Sequence, residues 1–341
     1  MTPTTAVAQV LDRARELTQP LMREAVGRLT PSIRNVVSYH LGWTGPDGVA
    51  TDGKGGKGIR PALSVLSAEA AWSGPEVGAP GGVAIELVHN FSLIHDDLMD
   101  GDLERRHRPT VWALWGTGTA VLAGDALSNL ANEVLLSTAN PAAPAASLAL
   151  GEAVAEMIAG QADDLAFEKR PVVSIEECMA MSTAKTGALL GCAASIGAIL
   201  AGAPPATVRA LRDFGRHLGV AFQAVDDLLG IWGDPATTGK PAGNDIRQRK
   251  KSMPIVAALT AGDDEAQELS TILFGPSEEL GSDEVARATW LVEASGGREW
   301  TAARAKAHLD AALGSLERAR LSAVPRRALA DLAVYVVERE S

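Results

Sequence analysis

Apolar residues recur at three- and four-residue steps along most of this 341-residue chain, and strand-like alternation is nearly absent. Leu63, Leu66, Ala70 and Ala71 fall at that spacing, as do Ile85, Val88, Phe91, Ser92 and His95. Further helices are predicted at 117–138, 143–168, 174–184, 186–202, 205–232, 252–262, 283–295, 299–319 and 323–338, with breaks at Pro141, Pro171, Pro204, Pro205, Pro235 and Pro276. The stretch from Gly42 to Gly58 is rich in Gly and Asp and reads as a loop. The expected fold is therefore all-α, a bundle of long helices around a central cavity, in a single domain spanning 1–341 with residues 1–30 as an N-terminal helical segment.

Composition narrows this further. The chain has 34 Gly and only 4% aromatics, a mix suited to helices packed closely through small side chains and poorly suited to a β-sandwich. A hydrophobic fraction of 46% allows a sizeable core. The net charge of -11 argues against nucleic acid as a partner, and any phosphate site must concentrate positive charge locally. Cys178 and Cys192 have no CxxC spacing and read as buried thiols in a reducing compartment. Asp12, Arg13 and Arg15 interrupt the start, which lacks the pattern of a signal peptide. Thr186 to Val208 carries no charge, but its Gly and Pro content makes it a core helix and not a transmembrane segment. The chain is expected to be soluble and cytoplasmic.

Two acidic helix ends carry the chemistry. In His95-Asp96-Asp97-Leu98-Met99-Asp100, Asp96 and Asp100 are one turn apart on a common face, and Asp97 lies roughly 100° around from Asp96. Such like charges destabilise a helix by a few tenths of a kcal/mol per pair, roughly, unless a hard cation reverses the interaction. Arg105, Arg106 and Arg108 follow at once. That order makes sense if a polyanion lies between, bridged to the carboxylates by metal and gripped by the guanidiniums. The second cluster, Gln223-Ala224-Val225-Asp226-Asp227 continuing to Asp234, lies 130 residues on (226 − 96) and is again followed by a basic, glycine-containing segment with Gly239, Lys240, Asp245, Arg247, Lys250 and Lys251. Two such ends facing each other would form a metal-bridged diphosphate site.

On these residues the chain resembles the trans-isoprenyl diphosphate synthases, the polyprenyl synthetase family, of the short-chain type. Gly55-Gly56-Lys57-Gly58-Ile59-Arg60-Pro61 is similar to the family's GGKxxRP segment, and Asp96 to Asp100 with Arg105-Arg106 to its first aspartate-rich motif. Gly160-Gln161-Ala162-Asp163-Asp164-Leu165 resembles GQxxDL, Lys185-Thr186-Gly187 the KT motif, and Gln223 to Asp245 the second aspartate-rich motif. The resemblance implies a prenyltransferase that adds isopentenyl diphosphate to dimethylallyl, geranyl or farnesyl diphosphate, acting as a homodimer. It implies that Asp96, Asp97, Asp100, Asp226 and Asp227 bind Mg²⁺, three ions being usual in the family. Lys57, Arg60, His89 and Arg106 would hold isopentenyl diphosphate, while Arg105, Lys185, Thr186, Gln223 and Lys240 would hold the allylic diphosphate. Gln161 and Asp164 have no role assigned by it.

Phe91, five residues before Asp96 and so roughly 7.5 Å up the helix, would be a floor for the growing chain; by the resemblance, an aromatic there without an insertion in the first motif implies short products, C20 first and C15 next. The chain departs from the family at Gly230, where many relatives carry a third aspartate; that ligand is lost, replaced by water, or supplied by Asp234. His107-Arg108 stands where the commonest form has glycine first, and the Glu338-Arg339-Glu340-Ser341 end is less basic than in some relatives. Two alternatives are a class I terpene cyclase, whose second metal motif Asn244, Gln248 and Ser252 do not reproduce, and a non-catalytic subunit of a related synthase.

Overall fold

A computed structural model describes residues 5–51, 56–234, 242–275 and 279–338, and it is all-α apart from one small hairpin. In order come α1 (Thr5–Gly27), α2 (Pro31–His40), α3 (Ile59–Ala70) and α4 (Pro75–Met99), then a hairpin of β1 (Glu104–Arg105) and β2 (Arg108–Pro109). They are followed by α5 (Val111–Leu136), α6 (Ala143–Glu168), α7 (Ile175–Ser182), α8 (Ala188–Leu200) and α9 (Pro205–Trp232). Shorter and terminal helices follow, including Asn244–Arg247, Met253–Leu259, Ser282–Ala294, Gly297–Glu317 and Ala323–Glu338. Of the expected breaks, Pro235 and Pro276 lie outside the described residues.

Local sequence explains the boundaries. Pro31, Pro75 and Pro205 open their helices, where a missing N–H costs nothing. Ser174 caps α7 in a capping box: its hydroxyl accepts from the Glu177 N–H, and the Glu177 carboxylate accepts from the Ser174 N–H. Two boundaries differ from the sequence pattern. Helix α5 begins at Val111, with a sharp kink at Gly116 (φ 80°), so the expected start at 117 is the start of its long arm. Residues 175–200 form one continuous helical rod, since the predicted break at 185 is a π-helical segment, Thr183–Gly187, with no interruption of the chain direction.

The main core lies between α3, α4, α5, α8 and α9, and small residues set its spacing. A Cβ on Gly215 of α9 would strike the Leu190 carbonyl, and one on Gly219 would come within 2.6 Å of the Gly187 Cα. On the other side of α8, a Cβ on Gly197 would meet the Ser64 carbonyl of α3. Helix α8 thus lies against both neighbours almost backbone to backbone, as the scarcity of aromatics suggests. The stretches Pro75–Met99 and Ile175–Leu200 are long and apolar enough to cross a membrane, but 67% and 72% of their apolar windows are buried in the fold. A second, smaller core of Ile231, Ile246, Ile255, Leu269, Leu291 and Val292 packs beneath the end of α9 and positions the segment that follows it.

Candidate active site

Helices α4 and α9 place their C-terminal turns on the walls of one cavity of about 1000 Å³. Its lining includes Phe91, Ser92, His95 and Asp96 from α4, and Phe222, Gln223 and Asp226 from α9. Lys185 and Thr186 enter from the π-helical segment, and Lys57, Arg60, His89, Arg105 and Arg106 collect at one end. Most residues singled out in the sequence therefore meet in one place. Of the metal-ligand candidates, Asp97, Asp100 and Asp227 do not line it. Lys240, like Gly55, Gly239 and the last three residues, lies outside the described residues.

Asp97 and Asp227 are turned inward. Asp97 is 1% exposed and accepts a 2.7 Å hydrogen bond from the Arg105 Nε–H. Its other oxygen is buried with no hydrogen-bond partner among the described residues. Burial pushes its pKa up to about 6 against the pull of Arg105. Asp227, 8% exposed, accepts from the Gln223 Nε2–H at 2.7 Å and from the backbone N–H of Met253 at 2.9 Å. Burial and then Asp245 push its pKa up to about 7. The Thr186 hydroxyl in turn donates to Gln223 Oε1 at 2.7 Å. A chain of bonds thus runs from the π-helical segment through α9 to the start of Met253–Leu259.

Asp96 keeps its carboxylate at the cavity. Burial raises its pKa, Lys185 lowers it and Asp100 raises it again. Asp100 lies 3.9 Å from Lys250 Nζ, an ion pair that joins the first acidic end directly to the segment beyond the second. The Lys185 Nζ–H donates to Asp164 at 2.5 Å. Burial works against the lysine's charge, but Asp164, Asp96 and Asp100 outweigh it and hold its pKa above the ordinary value. Gly160 lets α6 approach this lysine, since a Cβ there would strike the Lys185 backbone nitrogen.

The far end of the cavity is cationic. His89 is held well below the usual imidazole pKa by burial and then by Arg60, Arg106 and Arg105. It is neutral at pH 7 and has one ring N–H to give. The hairpin that presents the arginines turns through Arg106 (φ 53°) and His107 (φ 60°), both left-handed, as a two-residue turn of this kind requires. Glycine at position 107 would adopt this backbone without strain.

Sequence reasoning missed two groups here. Glu86 lines the cavity, and burial raises its pKa while Arg60 and Arg106 lower it. The pKa of His40 on α2 is lowered to about 3 by burial, with Arg105 and Arg106 adding to the effect. Neither sits in a motif, and only tertiary packing brings them to the arginines.

The donor set suits a hard cation. Among the described residues no three His, Cys, Asp or Glu side chains gather closely enough to hold an ion by themselves. Mg²⁺, however, takes one or two carboxylates and completes its shell with water and substrate phosphate, which Asp96 and Asp226, both at the cavity, allow. At Gly230, one turn beyond Asp226, a Cβ would strike the Asp245 carboxylate. The acid that stands over this missing side chain is therefore Asp245.

A family model, polyprenyl synthetase, matches residues 50–289. The chain is 48% identical over 334 residues to a (2E,6E)-farnesyl diphosphate synthase of Mycobacterium tuberculosis, covering 97% of this chain and 93% of that one. It is 43% identical over 310 residues to a geranylgeranyl diphosphate synthase of the same organism, covering 90% and 88%. The crystal structure of a polyprenyl synthetase from Streptomyces coelicolor superposes with a TM-score of 0.93 at 50% identity, covering 97% of this chain and 99% of that one. The motifs, the cavity they line and these likenesses agree: the chain belongs to the polyprenyl synthetase family.

Proposed function

We propose that this chain is a short-chain isoprenyl diphosphate synthase that condenses isopentenyl diphosphate with an allylic diphosphate and works as a cytoplasmic homodimer. The observation that supports this is that Asp96 and Asp226 line one cavity whose other lining includes Lys57, Arg60, Arg105, Arg106 and Lys185. An overall negative chain has gathered its cations where two diphosphates must lie.

Asp96 and Asp226 at the cavity, with Asp100 one turn beyond Asp96, would hold the magnesium ions, and Asp245 stands where a third acid of the second motif would be. Bound Mg²⁺ supplies positive charge that stabilises the departing diphosphate. Asp97 and Asp227 orient neighbours instead of binding metal. Lys185 grips the allylic diphosphate, with Arg105, Gln223, Thr186 and Lys240 assigned to the same group. Lys57, Arg60, Arg106 and a neutral His89 hold isopentenyl diphosphate.

Ionisation of the allylic C–O bond gives a cation, the isopentenyl double bond attacks it, and a proton leaves to the released diphosphate. Phe91, Leu189, Leu190 and Phe222 keep water from the cation. Phe91 sets the floor for products of C15 to C20. The whole chain, residues 1–341, serves as one domain. Helices α5 and α6 expose Leu114, Leu122, Leu148 and Ile158, apolar surface that a second copy would cover.

A terpene cyclase is disfavoured because Asn244 and Gln248 bond to each other on a short exposed helix. Incubation with labelled isopentenyl diphosphate and each primer, with and without Mg²⁺, tests the proposal. Metal-dependent C15 or C20 product is expected, and no elongation of any primer would refute it.

A further inference from the structure

Phe91 is braced by its neighbours. One turn along α4, the His95 ring stands edge-on to it, with centroids 5.0 Å apart and planes at 84°. His95 is itself anchored across the cavity wall, since its Nε2 lies 3.2 Å from the Val121 carbonyl of α5. A carbonyl can only accept, so Nε2 carries the proton in this bond. The ring lies over Gly124, where any Cβ would fall on the imidazole. Both Phe91 and His95 line the cavity. No sequence motif assigned His95 a task, although it immediately precedes Asp96.

We propose that His95 is a positioning residue for product length. The notch at Gly124 and the Val121 carbonyl fix the imidazole, and its edge fixes the Phe91 ring, so the depth open to a growing isoprenoid is set by Gly124, His95 and Phe91 together. This rests on the synthase function proposed above. A phenylalanine ring without a lateral neighbour gains access to other rotamers, and an edge-to-face pair changes such populations by about threefold to tenfold.

The test is product sizing with the full-length chain, geranyl diphosphate, labelled isopentenyl diphosphate and Mg²⁺. His95→Ala should raise the ratio of longer to shorter products by about threefold to tenfold. His95→Gln, which returns an N–H near the position of Nε2 but no ring, should restore that ratio only in part. Gly124→Ala, which expels the ring from its notch, should shift the ratio in the wild-type background but not in the His95→Ala background, because the space is then already vacant. A merely structural role would lower thermal stability or total turnover and leave the ratio unchanged. An unchanged ratio in His95→Ala, or independent effects of the two substitutions, overturns the proposal. If the wild-type chain elongates no primer, the synthase assignment itself has failed, an outcome that a variant comparison cannot produce.

Discussion

The C-terminal turns of α4 and α9 carry the same paired aspartates and use them in the same divided way. In each pair the first carboxylate, Asp96 or Asp226, lines the cavity, and the second is buried and bonded to the segment that follows. Neighbouring residues lie roughly 100° apart on a helix, so a pair cannot present both carboxylates to one cavity equally. The difference is in the partners. Asp97 binds the charged guanidinium of Arg105, whereas Asp227, among the described residues, binds the neutral Gln223 amide and the Met253 N–H. The first end is coupled to the hairpin that presents Arg105 and Arg106. The second is coupled to Thr186 and to the start of Met253–Leu259.

Exchanging the partners' roles is the strongest way to break this comparison. Asp96→Ala or Asp226→Ala should lower turnover by about 10³-fold while the helical circular dichroism stays as in wild type. Asp97→Asn and Asp227→Asn should not do so. Turnover within tenfold of wild type in Asp96→Ala would remove the division of labour.

The two buried carboxylates also predict how stability depends on pH in the metal-free protein. Both folded pKa values are raised, to about 6 for Asp97 and about 7 for Asp227, from 3.8. The folded state therefore holds protons that the unfolded state has released. Their contribution is complete below about pH 4 and is lost as pH rises through 6 for Asp97 and 7 for Asp227. The slope is at most about 1.4 kcal/mol per pH unit for each carboxylate. Asp227→Asn keeps an acceptor for Met253 and should flatten the part of the curve between pH 6 and 7 in chemical denaturation. An unchanged curve would show that Asp227 does not titrate in this range.

Steady-state kinetics can sharpen the difference between the ends. Asp97→Ala frees Arg105, assigned to the allylic diphosphate, and loosens the hairpin it shares with Arg106, so it should raise KM for both substrates, about tenfold for the primer, as expected for loss of one charge-assisted bond. Asp227→Ala should raise KM for the primer alone, through Gln223 and Thr186. Equal changes in both KM values for both variants would erase the distinction. The smallest effect belongs to the hairpin turn: His107→Gly should raise stability by about 0.5–1 kcal/mol by relieving its left-handed backbone, read as a higher melting temperature.

Much of this was legible in the chain itself. Helices at 143–168, 205–232 and 323–338 match the observed bounds, because long amphipathic periods and prolines mark them clearly. Lys57, Arg60, Arg106, Lys185, Gln223 and Asp226 were identified from motif order and do meet at the cavity. The division within each aspartate pair was not legible, since sequence gives the angle between neighbours but not which one faces the cavity. The π-helical segment was read as a break because its hydrogen-bond register leaves no mark in hydrophobic spacing. Glu86 and His40 were missed because their importance comes from distant arginines. For the acid absent at Gly230 the sequence leaves loss, water or Asp234 open, and only packing beneath α9 shows that Asp245 stands against that glycine.

Divalent-cation positions would be the most direct evidence on how the two helix ends share their carboxylates. Crystals grown with Mn²⁺ and an unreactive allylic diphosphate analogue should give anomalous peaks bonded to Asp96 on one side and Asp226 on the other, with Asp97 and Asp227 outside the coordination shell. Peaks on Asp97 or Asp227, or an analogue bound away from both walls, would contradict the account.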